Sequence, residues 1–338
     1  MITISFGTHA IKAQNPDFIK MVGYATKAPS GHNTQPWKFI ISESSIEIHP
    51  DFGQALPVVD ASNRELYISL GCAAENLLIA ANEFGYESSF SIDIDDNNHS
   101  YIKIYLKEGK CETSPLFELI ERRQTNRRVY DKRMIVQDTI DILKNLSVEK
   151  GTKVRFYKNG SPDFLALTDL IAEGNTFQMT DKAFKAELLS WIRFNKNQKD
   201  KLRNGLTNEV MGTPSAPAFI GKPIVSSFLK PDKQNKTDME KINSSSHMVL
   251  FSIEQNNPEN WILLGRSLER FLLETTRQGI ANAYLNQPCE VESIAAVLPA
   301  KLNISNEIPV LLLRIGYAEP MPFAPRKDAK DVIQFKNN

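Results

Sequence analysis

Cysteine, net charge and long apolar runs are all scarce in this chain of 338 residues. Its three cysteines, Cys72, Cys111 and Cys289, are odd in number and far apart, so we expect reduced, buried thiols and no disulfide framework. Lysine and arginine total 40, as do aspartate and glutamate, which removes the electrostatic reason to expect nucleic acid as a partner. No apolar run reaches membrane length and residues 1–14 lack a signal-peptide pattern, so we expect a cytoplasmic protein with no membrane partner.

Two common signatures of metal and cofactor binding are also missing. The five histidines are not spaced as metal ligands, so the sequence predicts no metal site. It contains no Gly-x-Gly-x-x-Gly motif, which argues against a separate dinucleotide-binding domain. A chain of this length can still bury one large core or two.

The first informative segment is a turn between a helix and a strand. The helical pattern over residues 18–26 stops at Pro29-Ser30-Gly31, ahead of the strand-like run 38–42. Such a turn can present Ser30, Asn33 and backbone N–H groups to a planar polar ligand. An ordinary helix-to-strand connection is the alternative, because Pro, Ser, Gly and Asn are common in all loops.

The second informative segment places four arginines around a hydroxyl group between Glu121 and Tyr130. Within it, Arg123, Thr125 and Arg127 alternate along the chain. Guanidinium groups bind phosphate oxygens through paired hydrogen bonds, and a threonine adds one more. A solvated basic face is the alternative, and it is the spacing rather than the charge that favours phosphate.

Together the two segments resemble the nitroreductase family of FMN-dependent oxidoreductases. The family pattern Pro-Ser-x-x-Asn-x-Gln-Pro-Trp fits residues 29–37, and the pattern Arg-x-Ser/Thr-x-Lys/Arg fits residues 123–127. The chain length and the tail 308–327 are more similar to the long Acg-like branch, which carries two nitroreductase-like halves in one chain. The resemblance extends from about residue 16 to about residue 332 and is vague between 194 and 247.

An internal repeat supports two halves without reference to any family. Residues 65–86 align with residues 259–280 at a constant spacing of 194, and both segments have helical apolar spacing. A glycine inside a helix costs about 1 kcal/mol relative to alanine. Gly71 and Gly265, which occupy equivalent positions, therefore predict a close helix crossing. A serine three residues before Glu65 indicates a capping box at the start of the first helix.

These features predict an α+β, nitroreductase-like FMN-binding fold, duplicated within the chain as an internal pseudo-dimer. We expect a first half over 1–112 and a second half over 113–338, in which the polar stretch 195–246 is either a lid or a solvated excursion. The first half has the turn but no arginine pair before it, whereas the second has the arginines but a different turn at 147–152. We therefore expect one complete site per chain, and a chain that can act as a monomer.

The resemblance also implies a set of site residues and a mechanism. The cofactor-binding residues that it implies are Pro29, Ser30, His32, Asn33, Arg123, Thr125, Arg127, Leu285, Asn286 and Arg326. The arginines and the threonine would hold the FMN phosphate, the turn would line the flavin ring and ribityl chain, and Leu285 and Asn286 would offer main-chain groups to the ring edge. NAD(P)H would reduce the flavin and leave, and a small electron-poor acceptor such as a nitro compound or a quinone would replace it. The flavin carries the chemistry, so the resemblance implies no catalytic side chain.

Other functions would need the same FMN residues. A lidded site with little turnover would belong to an FMN-sequestering, storage or flavin-sensing protein, and a site that has lost FMN would leave an apo scaffold. His32 can contact the cofactor or face solvent. The sequence favours the NAD(P)H-dependent reductase without separating it from the sequestering alternative.

Overall fold

The computed structural model describes residues 15–111, 113–212 and 215–335. The expectation for the N-terminal stretch 1–14 lies outside the described residues. The helices are α1 (Pro16–Ala25), α2 (Arg64–Glu83), α3 (Gln137–Lys144), α4 (Pro162–Thr180), α5 (Lys182–Trp191), α6 (Lys196–Leu202), α7 (Asn208–Met211), α8 (Ala218–Phe228), α9 (Pro231–Asn243), α10 (Pro258–Arg277), α11 (Gln287–Glu290), α12 (Glu292–Lys301) and α13 (Ala329–Val332). The strands are β1 (Trp37–Ile41), β2 (Ser45–Pro50), β3 (Tyr86–Ile94), β4 (Ser100–Glu108), β5 (Thr152–Lys158), β6 (Ile192–Arg193), β7 (Leu206–Thr207), β8 (His247–Ile253), β9 (Ala281–Tyr284), β10 (Ile308–Gly316) and β11 (Ile333–Phe335).

Two main sheets give the chain the mixed α+β architecture that the sequence predicts. The first sheet has the order β11-β1-β2-β4-β3, and the second has the order β5-β8-β10-β9. Neighbouring strands are antiparallel except β11, which pairs in parallel with β1 and places Ile333 opposite Phe39. The end of the chain therefore completes the sheet that its beginning starts.

The two repeat helices, α2 and α10, pack against each other at the centre of the molecule. A Cβ atom on Gly71 would lie 2.1 Å from the carbonyl oxygen of Ile262, and one on Gly265 would lie 2.1 Å from that of Ile68. The two backbones can approach this closely because neither glycine has a side chain. The predicted crossing is confirmed, and its contacts are related by the same spacing of 194 residues as the repeat.

The second sheet is covered on both of its faces, which explains why β8 is buried along its whole length. Val249 and Phe251 pack in the same core as α2 and α10. Met248 and Leu250 point the other way, into a second core with α4 and α12. Such a strand reads as a continuous apolar run instead of an alternating one.

Some local expectations are corrected by the structure. The capping box is wrong, because α2 begins after Asn63, and Asp60 Oδ2 accepts the hydrogen bond from the Leu66 N–H at 3.0 Å. The stretch 195–246 is not an irregular excursion, since it forms α6 to α9 and the short strand β7.

The expected absences concern cysteine pairing, metal ligands and membrane spans. All three cysteines are free, as the sequence predicts, and Cys72 and Cys289 are buried. The expected burial is wrong for Cys111, which is exposed. Within the described ranges, no group of His, Cys, Asp and Glu is arranged to hold a metal ion. None of the helices described is both long and apolar enough to cross a membrane.

Candidate functional site

A cavity of about 600 Å³ lies beside the crossing of α2 and α10, and Ile68 and Leu268 form part of its wall. This volume is within the range of pockets for cofactors and other small molecules. The structure brings nine of the ten predicted site residues to this wall: Pro29, Ser30, His32, Asn33, Arg123, Thr125, Arg127, Asn286 and Arg326. Segments that are distant in the sequence therefore meet around one enclosed space.

The turn between α1 and β1 has an unusual backbone. His32, Asn33 and Gln35 all have positive φ values, of 49°, 57° and 55°. Residues other than glycine rarely adopt this left-handed region, and such strain clusters at binding sites, where the surrounding structure holds it. The Ser30 hydroxyl accepts a hydrogen bond from the Gln35 N–H at 3.0 Å, which leaves the proton of the hydroxyl for another acceptor.

Side chains of the turn tie two distant segments to the site. The Asn33 Nδ2 group donates to the carbonyl oxygens of Gly205 at 3.1 Å and Pro325 at 3.0 Å. Its Oδ1 atom accepts a hydrogen bond from Arg326. The hydrogen bonds of the Asn33 side chain are thus made within the protein, so this residue fixes the shape of the cavity wall.

Arg123 is buried and has partners of its own. Its Nη2 group donates to the Lys27 carbonyl oxygen at 2.7 Å, and its Nε atom lies 3.3 Å from Oε1 of Glu269. Burial raises the pKa of the Glu269 carboxyl to about 7, and Arg123 opposes this shift. The ion pair links the arginine segment to the centre of α10.

Arg127 and Arg326 add positive charge that has little compensation. In the part of the chain that the structure describes, the Arg127 guanidinium makes no ion pair or hydrogen bond to protein. Burial lowers the pKa of Arg326 to about 9, with a further contribution from Arg123, and only Glu269 acts in the other direction. Arg123, Arg127 and Arg326, called the arginine cluster below, all line the cavity. Two of them, Arg123 and Arg326, share the buried carboxyl group of Glu269. Such an excess of buried positive charge fits an anionic ligand.

His32 lies close enough to this charge to be affected by it. Burial lowers the pKa of His32 to about 4, and Arg127 contributes to the shift. The imidazole is therefore neutral at pH 7. Thr125 also lines the cavity, and its hydroxyl has no hydrogen-bond partner among the described residues.

Leu285 is the predicted residue that the structure does not bring to the cavity. Its side chain is buried in the core beside α4 and α12, and its N–H donates to the Leu312 carbonyl oxygen at 2.9 Å. The neighbouring Asn286 does line the cavity, through its side chain. Strand alternation explains the difference, because successive side chains near β9 point to opposite faces.

A second polar part of the wall contains Glu65 and Glu290, which the sequence analysis did not assign to the site. Asn286 Nδ2 donates to Glu65, and Gln178 Nε2 donates to Glu290 Oε2 at 2.5 Å. Glu65 stands in the first turn of α2, where an acidic residue is common, and Glu290 belongs to no motif. Their positions depend on tertiary packing, so no local signal could have identified them.

Residues of the stretch 195–246 close another side of the cavity. Leu206 and Val210 line it. The Gly205 N–H donates to the Asn33 carbonyl oxygen at 3.0 Å, and Gln35 Nε2 donates to the Arg203 carbonyl oxygen at 2.8 Å. The fold and the site together define an α+β protein with an enclosed, partly apolar pocket that has excess positive charge on one wall.

Comparison with known proteins finds relatives that are named putative nitroreductases. No protein-family profile matches the sequence. A putative NAD(P)H nitroreductase of Mycobacterium tuberculosis strain H37Rv is 23% identical over 323 residues, which cover 92% of this chain and 89% of that protein. The putative NAD(P)H nitroreductase acg of the same strain is 21% identical over 334 residues, covering 95% and 96%. The resemblance to long, single-chain nitroreductase-like proteins is thus confirmed over nearly the whole length.

Solved structures cover a smaller part of the chain. The FMN and NADPH-dependent nitroreductase NfnB from sphigopyxis sp. strain HMH has a TM-score of 0.43 and 15% identity, covering 67% of this chain and 100% of its own. The FMN-dependent nitroreductase NfnB from Mycobacterium smegmatis, solved with NADPH, has a TM-score of 0.41 and 13% identity, covering 65% and 97%. About two thirds of this chain therefore matches almost all of each shorter one.

Proposed function

We propose that this protein is an FMN-binding oxidoreductase that uses NAD(P)H to reduce nitro compounds, quinones or similar electron-poor acceptors. The observation that carries the proposal is the arginine cluster, which places three guanidinium groups on the wall of a 600 Å³ cavity and leaves that of Arg127 without a partner among the described residues. The names of the relatives, putative NAD(P)H nitroreductases, favour a reductase over a flavin-sequestering protein.

The residues present fit FMN in both charge and shape. Arg127 and Thr125 have free hydrogen-bonding groups for a phosphate, and Arg326 adds a second guanidinium. Ser30 offers a hydroxyl proton from the strained turn. Apolar side chains, among them Ile68 and Leu268, give the apolar wall that an aromatic ring would contact. When bound there, FMN would supply hydride chemistry, and the protein would supply position, charge and control of access.

The duplication into two halves, 1–112 and 113–338, belongs to the same proposal. Cys72 lines the cavity from α2, and Arg266 occupies the equivalent position of the repeat on α10. Arg266 is bound to Glu75 and to Glu149, each at 2.9 Å. Side chains thus occupy the space where pseudo-symmetry would place a second pocket. We infer an internal pseudo-dimer with one FMN site, which gives a single chain all that the site needs.

We also propose that the stretch 195–246 is a lid over the substrate side. Its contacts with the turn, through Gly205 and Arg203, and its cavity-lining Leu206 and Val210 support this role. The double variant Leu206→Ala/Val210→Ala should react faster with NAD(P)H and quinones at equal FMN occupancy, whereas Leu202→Ala, exposed on α6, should not. Unchanged rates in the folded, loaded double variant would contradict a lid.

The reductase itself is tested by mixing the purified, FMN-loaded protein with NADPH or NADH without oxygen. Bleaching of the flavin within seconds, followed by its return on addition of a quinone or a nitroaromatic compound, is the expected result. Bound flavin that stays oxidised with both nicotinamides would instead indicate sequestration, and protein that binds no FMN would contradict the proposed cofactor.

A further inference from the structure

Two carboxyl groups lie close together on the cavity wall. Glu65 comes from the first turn of α2 and Glu290 from the end of α11, and the two side chains are near enough to influence each other's pKa. Ionised carboxylates can only accept hydrogen bonds, so a hydrogen bond between these two residues, called the carboxyl pair below, needs a shared proton.

Amide groups from two other elements hold the carboxyl pair in place. The Asn286 side chain accepts a hydrogen bond from the Leu312 N–H at 3.1 Å, which fixes its orientation and directs its Nδ2 group at Glu65. On the other side, Gln178 Nε2 donates to Glu290 Oε2 at 2.5 Å. Each carboxyl thus has one oxygen bound by a neutral amide, which leaves another for the shared proton.

Helix capping does not explain the position of Glu65. Glu259, its equivalent in the repeat, also stands in the first turn of its helix, yet its side chain is exposed to solvent. The start of such a helix therefore does not require a carboxyl group turned inward. Glu65 instead lies against the strained turn, because a Cβ atom on Gly31 would be 3.2 Å from its Oε2 atom.

The surroundings favour a retained proton at neutral pH. Burial raises the pKa of both carboxyl groups, and the charge of Glu290 raises that of Glu65 further. Arg64 opposes both shifts, but one of its donors is used by the Cys289 carbonyl oxygen at 2.7 Å. The other titratable groups facing the pair, Asp60, Cys289 and Tyr284, all have raised pKa values through burial, so none adds a compensating cation.

We propose that the carboxyl pair is the proton donor for the electron acceptor that binds in this cavity. This inference rests on the proposed oxidoreductase function. Residues of the stretch 195–246 cover one side of the cavity, and a proton stored in the cavity wall would reach the acceptor without coming from bulk solvent. A positioned general acid typically accelerates such a step by about 10²–10⁴-fold.

For a quinone, FMN bound in its reduced form would supply the hydride chemistry that forms the first O–H bond and leaves a hydroquinone monoanion. The O–H bond of the carboxyl pair then breaks, its proton forms the second O–H bond of the hydroquinone, and the electron pair stays on the carboxylate. Water restores the proton, because two adjacent carboxylates repel each other.

The test compares an acceptor that takes protons with one that does not. FMN-loaded Glu65→Gln and Glu290→Gln proteins would be reduced with dithionite and mixed with a p-quinone or with ferricyanide, which takes electrons alone. Both variants should reoxidise with quinone about 100-fold more slowly than the unchanged protein, while their ferricyanide rates stay the same. Glu259→Gln, the exposed equivalent in the repeat, should match the unchanged protein with both acceptors.

An unchanged quinone rate in either variant would overturn the proposal, as would equal losses with quinone and ferricyanide. A second readout needs no turnover. The infrared spectrum of the FMN-free protein at pH 7 should contain a protonated-carboxyl band that is lost in Glu65→Gln and in Glu290→Gln and kept in Glu259→Gln. Absence of this band would also overturn the proposal that the carboxyl pair stores a proton. Failure of NAD(P)H to bleach the flavin would instead contradict the proposed oxidoreductase function, and the band would still be present.

Discussion

Replacing Arg127 tests phosphate binding with less disturbance of folding than replacing Arg123, because Arg127 has no protein partner among the described residues. Hydrogen bonds to charged groups contribute about 1.5–3 kcal/mol each, or about ten- to a hundredfold in affinity. Arg127→Ala should raise the Kd for FMN by about that factor and leave the Kd for riboflavin, which has no phosphate, nearly unchanged. Fluorescence quenching of both flavins measures this.

Arg128→Ala is the matched control, since Arg128 is adjacent in the chain but exposed to solvent. It should bind FMN as the unchanged protein does. Equal losses of FMN and riboflavin affinity in Arg127→Ala would show that the residue acts on the folded structure. Arg123→Ala is less informative, because it would leave the buried Glu269 carboxyl without its cation.

The lowered pKa of His32 leads to a second prediction, which concerns how the free energy of unfolding depends on pH. Its pKa is about 4 in the folded protein and about 6.5 when unfolded. As the pH falls below 6.5, the unfolded chain binds a proton that the folded chain does not, so the free energy of unfolding decreases by up to about 2 kcal/mol at pH 5. In His32→Asn, which tolerates the left-handed backbone, urea unfolding should lose less stability between pH 7 and pH 5. Identical losses in both proteins would contradict the assignment.

The site residues show which parts of a pocket can be predicted from sequence. Ser30 and Arg127 belong to short patterns in the sequence, and both line the cavity in the structure. Leu285 was expected to offer main-chain groups to the ring edge, but its N–H is bound to the Leu312 carbonyl oxygen, a pairing that depends on tertiary structure. The role of Glu290 was invisible, since its partner lies 225 positions earlier and the two meet only through packing of α11 near α2.

Among the elements, the crossing of α2 and α10 carries the most direct stability prediction. Gly71→Ala would place a methyl group 2.1 Å from the Ile262 carbonyl oxygen, so the two helix backbones must separate. We expect a loss of about 1–3 kcal/mol in the free energy of unfolding, measured by urea denaturation. Gly23→Ala, inside α1 where nothing lies within 4 Å of the added atom, should be neutral or stabilising by up to about 1 kcal/mol. Equal effects of the two changes would refute the crossing.

The elements that sequence reasoning found are those with strong local signals. The helix α10 has apolar periodicity, a cap at Asn257 that accepts the Asn260 N–H at 2.9 Å, and a stop at Gly279 with φ of 67°. The helices α6 to α9 have no such regularity in a polar, lysine-rich stretch, and the residues of β11 are too few to form a pattern. Tertiary contacts decide those segments, so the sequence left them open.

At the scale of the whole molecule, the pairing of Arg266 with Glu75 and Glu149 predicts one FMN per chain. Flavin released by denaturation should equal the protein in molar amount, and it should be FMN. A ratio near two would refute the single site, and release of FAD would refute the cofactor. Light scattering on the same sample would show whether a chain on its own keeps its flavin.

The parallel pairing of β11 with β1 also has a consequence for how the protein is made. Asn33 leaves the ribosome 293 residues before Arg326, its hydrogen-bond partner, and at 5–20 residues per second this interval is roughly 15–60 s. During that time β1 has an unpaired edge, which is a template for association with other nascent chains. Capture of the proposed FMN must also wait, because the turn and Arg326 can come together only after residue 326 has been synthesised. We therefore expect the apo chain to be at its most aggregation-prone while still being translated, and flavin supply to matter chiefly after that point.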